Sequence, residues 1–429
     1  MSSGSTPATE ISDTGMPATG MPATGMPATG TPAAGVPATG TPAAEMSDRE
    51  RVNLLGMPRA ALEALFAELG EKPFRAVQVM KWLHHRRVDD FAAMTDLSRV
   101  LRERLETLAR ICVPEVAEAH QSTDGTRKWL LRLADGQRIE TVFIPEKDRG
   151  TLCISSQVGC ALDCSFCATG KQGFNRNLSA AEIVAQVRHA AAELESVDFG
   201  RPKAVTNVVL MGMGEPLLNF DEVVAAMSVL LDDLGYGISK RRLTLSTAGV
   251  VPAIRRLAKV TDVALAVSLH APTDELRDQL VPVNRRYPIA ELLDAIREYL
   301  SGLGEWRSVT IEYTLMDQVN DAPEQARALA DLLESMRSRV KINLIPFNPF
   351  PGSGYRRPTA ERVRDFQTFL LDRGFATMLR TTRGEDIDAA CGQLAGRFDD
   401  RTHRRERYIA RLRDHGPITH AAAAADGAR

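Results

Sequence analysis

Three cysteines stand within eight residues: Cys160-Ala-Leu-Asp-Cys164-Ser-Phe-Cys167. Thiolates bind soft metals, and three in one short loop are too concentrated to be core packing. Structural zinc takes four closed ligands, often as two CxxC pairs. Here one CxxxC shares a cysteine with one CxxC, and no fourth Cys or His lies nearby. Three thiolates suit a [4Fe-4S] cluster with one iron left open, and an open iron can chelate a second molecule. The other cysteines, Cys112, Cys153 and Cys391, are dispersed. A lone Cys is by default a small buried hydrophobe, and Cys112 is read that way.

The loop needs a scaffold. From 151 to about 390, short β-rich runs alternate with amphipathic stretches. Strands are expected at 151–156, 205–211, 242–246, 263–269, 308–315, 340–345 and 375–380, with helices between them. Ser179 and Glu182 form a capping box ahead of Ile183, Val184 and Val187. Strand-helix alternation means a parallel sheet, either a partial (β/α)6 barrel or a doubly wound open sheet. In both, chemistry belongs at the C-terminal strand ends. The cysteine loop follows the first strand. Gly214 and Glu215 of Gly212-Met-Gly214-Glu215-Pro216 follow the second, where glycine permits close approach and Glu215 offers an acceptor for an ammonium group. Ser246 ends the third strand and Ser268-Leu269-His270 the fourth; Asn348 follows the sixth. Each could be an ordinary loop residue, but together they put polar groups on one rim.

The flanks differ. Residues 15–44 repeat a five-residue Gly/Pro/Ala/Thr unit, so 1–45 is expected to be a disordered tail. Its charges, Glu10, Asp13 and Glu45, are acidic; with a net charge of -2 for the chain, the remainder lies near +1. Residues 46–110 read as a helical accessory domain, with Lys72, Arg75, Lys81, Arg86 and Arg87 near its middle helix. Residues 111–150 hold a β-hairpin connection turning at Asp135-Gly136. The barrel with a C-terminal loop fills 151–396, and 397–429 is a basic end, eight Arg against five Asp or Glu.

The composition excludes other classes. The chain has 429 residues, 44% hydrophobic, which rules out a mostly disordered protein. Six cysteines are too few for a disulfide scaffold. No apolar run is long enough to span a membrane, and the first 45 residues lack Lys, Arg and an apolar signal core. A soluble cytoplasmic protein with reduced thiols, without membrane association and monomeric, is expected.

CxxxCxxC with an aromatic before its third Cys resembles the radical S-adenosylmethionine (SAM) superfamily. The segments GEKPFRAVQVMKW, SSQVGCALDCSFCATGKQGFNRNL, MGMGEPLLN, KRRLTLSTAGVVP, ALAVSLHAP, INLIPFNPFPG and TTRGEDIDAACGQLAG closely resemble the bacterial radical SAM 23S rRNA adenine-C2 methyltransferases, from about residue 50 to 396. The resemblance implies a partial barrel and one [4Fe-4S] cluster on Cys160, Cys164 and Cys167. It implies SAM at Gly214, Glu215, Ser246, Ser268, Leu269, His270 and Asn348. It also implies 23S rRNA and tRNA as substrates, and a flavodoxin-type electron donor.

The same resemblance assigns the remaining chemistry. Adenine C2 is a poor nucleophile, so polar methyl transfer is unfavourable and a carbon radical is used. One SAM methylates Cys391. A second yields a 5'-deoxyadenosyl radical that takes a hydrogen from the S-methyl group, and the methylene radical adds to C2. Cys153 then forms a transient disulfide with Cys391 and releases the base, with Glu140 as proton acceptor. The target base must be unstacked to reach such a site. Basic clusters at Lys240–Arg242, Arg285–Arg286, Arg356–Arg357, Arg380 and Arg383, with the accessory domain, could hold RNA. Two rivals share features: a C8-methylating relative linked to antibiotic resistance, and a non-methylating iron-sulfur RNA-binding protein, which needs no Cys153–Cys391 pair.

Overall fold

The computed structural model describes residues 51–200 and 202–415, with side chains as far as 410. The expected tail over 1–45, and the chain beyond 415, lie outside these residues. Ten strands form one sheet: β1 Glu115–Gln121, β2 Arg127–Arg132, β3 Arg138–Pro145, β4 Gly150–Cys153, β5 Asn207–Leu210, β6 Leu243–Thr247, β7 Ala264–Ser268, β8 Val309–Leu315, β9 Val340–Pro346 and β10 Ala376–Leu379. Their order in the sheet is their order in the chain. From β4 to β10 all neighbours are parallel. The first four strands are an antiparallel meander. The hairpin of β2 and β3 was legible from its turn. The edge strand β1, mostly exposed and polar, was not.

Side chains alternate across a strand, so every second residue faces one side. Thr151 and Cys153 of β4, Asn207 and Val209 of β5, Thr310 and Glu312 of β8, and Asn343 and Ile345 of β9 all line one cavity, joined by Thr244 of β6 and Ala266 of β7. The parallel strands therefore wrap around an interior, while β1 and β10 remain as edges. This is a partial barrel, and the doubly wound alternative is set aside. Helices cover its outside. The helix Ala180–Glu193 starts at the capping box, where the Ser179 hydroxyl accepts the Glu182 N–H (3.3 Å) and Glu182 accepts the Ser179 N–H (2.9 Å).

The helical accessory domain contains Arg59–Glu68, Phe74–Met80 and Arg99–Leu108, and the middle helix runs on as a π turn over Lys81–His85. Its ends are tied where Val52–Asn53 pairs with Ala109–Arg110. It packs closely on the barrel: a Cβ on Gly56 would lie 2.2 Å from the Ala181 nitrogen. Among the described residues, no helix is long and apolar enough to cross a membrane.

Candidate active site at the open end of the barrel

The cysteine loop leaves β4 between two short strands that the sequence reading did not anticipate, Gln157–Gly159 and Phe174–Asn177, which pair antiparallel. The Cys160 N–H donates to the Gly173 carbonyl (2.7 Å), closing the loop at its base. Burial pushes the thiols of Cys160, Cys164 and Cys167 upward, and neighbouring thiols add to this for Cys160 and Cys164. Three soft thiolates in one short loop are a donor set that fits an iron-sulfur cluster.

Beside the loop, Gly214 adopts φ +104°, and a Cβ there would lie 2.5 Å from the Gln157 side chain. Only glycine fits this cradle. Glu215 is buried; its carboxylate accepts the N–H groups of Ala248 (2.7 Å) and Leu217 (3.1 Å). Burial raises its pKa, and its charge reaches Cys160 and Cys164. An acceptor held this way beside the cysteines suits the amino group of a cluster-bound ligand.

His270 is buried at φ +60° and stands edge-on to the Phe166 ring of the cysteine loop (4.6 Å). Its Nδ1 accepts the Thr314 N–H (2.9 Å), which leaves the proton on Nε2. Burial, helped by Arg277, lowers its pKa to about 3, so the ring is neutral at physiological pH. Ser246 lies half-buried in β6 beside Ala266 of β7.

The sequence reading missed Arg277. It is fully buried and donates to the carbonyls of Leu269 (3.1 Å), Ser268 (3.1 Å) and Ala248 (2.6 Å) and to Asn284 Oδ1 (2.7 Å). It thus ties together the ends of β6 and β7, where Ser268-Leu269-His270 stand. An arginine in an amphipathic helix reads as a solvated charge; only tertiary placement reveals this one.

Cys153 and Cys391 line the same cavity, of about 450 Å³, with Asn348, Glu312 and Arg380. Burial, reinforced by Cys391, pushes the Cys153 thiol up to about 12. The segment carrying Cys391 is bonded to the cysteine loop: Ala168 N–H donates to the Gly392 carbonyl (2.8 Å) and Thr169 Oγ1 to that of Leu394 (2.6 Å). Asn348 Nδ2 donates to the Cys391 carbonyl (3.2 Å), and Arg357 donates to Asn348 Oδ1 (2.6 Å). Asn348 thus stands against the Cys391 backbone, and its neighbour Phe347 packs with Phe166 of the cysteine loop and with Ala271, next to His270.

Glu140 is buried but is not among the cavity-lining residues. Its carboxylate accepts the Ala395 N–H (2.8 Å) and pairs with Lys128 (3.4 Å). Lys128 also donates to the Asp388 carbonyl (3.3 Å), so the two residues grip the Cys391 segment at both ends. The basic groups divide. Lys240–Arg242 precede β6, at the end of the barrel opposite the rim. Arg356 pairs with Asp317 (2.9 Å) and Arg383 with Asp124 (3.8 Å). In the accessory domain, Arg75 pairs with Glu71 (3.4 Å), Arg87 pairs with Glu195, and Arg86 lies over the Trp82 ring (3.8 Å).

A partial barrel with a three-cysteine loop and a glycine cradle at its open end defines a radical SAM protein. The chain matches the radical SAM superfamily over residues 154–333 and the ribosomal RNA large subunit methyltransferase N-terminal domain over residues 52–111. It belongs to the family of dual-specificity RNA methyltransferases called RlmN. It is 61% identical to the member from Marinobacter nauticus, over 84% of this chain and 97% of that one. It is 60% identical to the member from Pseudomonas entomophila, over 84% and 94%. A radical SAM methyltransferase from Sphaerobacter thermophilus has the same fold, with TM-score 0.74 and 45% identity over 80% of this chain and 99% of that one. The family implies RNA as substrate, and SAM and an iron-sulfur cluster as cofactors.

Proposed function

We propose that this protein methylates C2 of an adenine in 23S rRNA, and of an adenine beside the anticodon in tRNA, through an S-methylated Cys391. The observation that carries the reading is the shared cavity of Cys153 and Cys391, whose walls are bonded to the cysteine loop. A cluster alone needs no such thiol pair.

Cys160, Cys164 and Cys167 would hold a [4Fe-4S] cluster, with SAM on its open iron against Gly214, Glu215, Ser246, Ser268, Leu269, His270 and Asn348. Bound there, the pair supplies a carbon radical once a flavodoxin-type donor has delivered an electron. The chain's own residues do the rest. Cys391, half-buried, is the accessible thiol and accepts the methyl group. Asn348 holds its backbone. Cys153, kept protonated by burial, does not compete for that methyl. It later attacks the Cys391 sulfur, forming an S–S bond as the C–S bond to the base breaks. Its proton goes to the departing carbon, which becomes the methyl group, and the C2 proton goes to Glu140. The adduct's unpaired electron would return to the bound cofactor. The disulfide must then be reduced, which suits the cytoplasm. Glu140 is the proton acceptor in this scheme, and it also holds the Cys391 loop. The basic rim and accessory domain would carry the RNA backbone.

The test is mass spectrometry of RNA nucleosides from cells with and without the gene. Loss of 2-methyladenosine from both rRNA and tRNA is expected. An unchanged level, or loss of the 8-methyl isomer, would sink the reading. Cys391→Ala should abolish methylation and leave the iron-sulfur absorbance intact; loss of the absorbance would instead make Cys391 a ligand.

A further inference from the structure

Arg404 lies in the stretch that reads, by composition, as a solvated basic end. The structure turns its side chain inward. Nη1 donates to the carbonyls of Cys160 (3.2 Å), Leu162 (2.8 Å) and Gly170 (3.0 Å), and Nη2 to that of Ala161 (3.2 Å). Four carbonyls in and around the three-cysteine loop thus converge on one guanidinium. A tight loop that turns its N–H groups toward a ligand leaves its carbonyls facing the other way. A planar cation with five donors satisfies several of them at once.

The backbone around Arg404 is fixed by contacts of its own. Asp400 accepts the N–H groups of Phe174 (3.3 Å), Thr402 (2.8 Å) and Arg405 (2.8 Å), capping the helix Arg404–His415. Its carboxylate sits where a Cβ on Gly173 would be, 2.0 Å away, and the Phe398 ring crowds Gly159 in the same way at 2.7 Å. Gly159 and Gly173 are the two ends of the cysteine loop. Asn175 donates to the Asp399 carbonyl (2.7 Å), and the Tyr408 hydroxyl donates to the Gly352 carbonyl. Residues 398–408 form a strap across the loop, and Arg404 is the point at which it enters.

We propose that Arg404 is a positioning residue for the iron-sulfur centre: it holds the cysteine loop in its ligating conformation and places a fixed positive charge beside it. This rests on Cys160, Cys164 and Cys167 being the cluster ligands. Outer partners that orient the ligands govern retention of a metal centre. A cation on this side also favours the one-electron reduced centre, which carries one more negative charge.

Arg404→Ala, Arg404→Lys and Arg405→Ala, the last an exposed neighbour on the same helix, separate these effects. The anaerobically reconstituted proteins are challenged with an iron chelator. Arg404→Ala should release iron about tenfold or more faster than wild type, and Arg405→Ala at the wild-type rate. The reduction potential of Arg404→Ala should move to more negative values. Arg404→Lys, which keeps the charge without the planar fork, should hold the potential and still release iron faster. In cluster-free protein, amide hydrogen exchange across residues 160–172 should rise in Arg404→Ala alone. If that variant fails to accumulate, release from Arg404→Lys decides the matter. Wild-type release and exchange in the Arg404 variants would overturn the proposal. Wild-type protein that binds neither iron nor sulfide would overturn the ligand reading instead, and exchange in the cluster-free protein would still judge the clamp.

Discussion

The guanidinium of Arg380 and the thiol of Cys391 face one another in the barrel cavity. The pull of Cys391, ahead of those of Glu312 and Cys153, raises the arginine pKa above its usual value against the opposing effect of burial. Arg380 is held there by its backbone, whose N–H donates to the Leu344 carbonyl (2.8 Å) in the neighbouring strand. Arg380 thus carries a fixed positive charge into the cavity beside Cys391.

Arg380→Met should slow labelling of Cys391 by iodoacetate, whose carboxylate the arginine draws into the cavity. Iodoacetate labelling of cluster-free protein at neutral pH, read by peptide mass spectrometry, measures this directly. Arg380→Lys should keep most of the rate. Equal rates in all three proteins would show that the arginine does not draw the reagent in.

Glu140 holds the Cys391 loop through the Ala395 N–H and Lys128. Glu140→Gln keeps an oxygen for the Ala395 N–H but cannot take up a proton. Cys391 should still become methylated, while product release stalls and a covalent protein–RNA adduct builds up on a denaturing gel. Glu140→Ala should in addition increase hydrogen exchange across 384–396. Wild-type turnover by Glu140→Gln would confine Glu140 to holding the loop.

What was legible in the sequence is what depends on local spacing. The three cysteines, the glycines before Glu215, the capping box at Ser179 and the seven parallel strands all announce themselves within a few residues. Arg277, Arg380 and Arg404 do not, because each looks like an ordinary surface charge until the fold brings carbonyls or thiols to it. The strap of 398–408 was hidden for the same reason, since its polar residues bond to groups more than 200 positions away. The short strands around the cysteine loop carry too few apolar residues to show a period of two. For Lys240–Arg242 the sequence shows a strand end, and the fold adds that it is the end opposite the rim.

Arg277 is fully buried and bonded to four acceptors. Arg277→Met fills a similar volume but leaves those acceptors without their donor. A loss of about 3 kcal/mol or more in unfolding free energy is expected, with weaker SAM binding because Ser268 and Leu269 lose their tether. Denaturant unfolding and calorimetric SAM titration give the two numbers. A stable variant with unchanged affinity would make the arginine dispensable to the rim.

His84 sits where the accessory domain meets the barrel, against the Tyr236 ring (5.5 Å), and neither of its ring nitrogens has a hydrogen-bond partner. Burial, then the charges of Arg188 and His85, lower its pKa from 6.5 to about 4; Asp232 opposes them more weakly. The unfolded chain takes up a proton here below pH 6.5 and the folded chain does not until about pH 4. Stability is therefore present above pH 6.5 and lost as the pH falls toward 4, by about 3 kcal/mol from this residue once the lower limit is passed. His84→Phe, which keeps a ring beside Tyr236, should match or exceed wild-type stability at neutral pH and lose less of it in acid. His270, with a still lower pKa, contributes the same acid loss to both proteins, so the difference between their curves isolates His84. Denaturant unfolding across this pH range gives the comparison, and parallel curves would place the proton elsewhere.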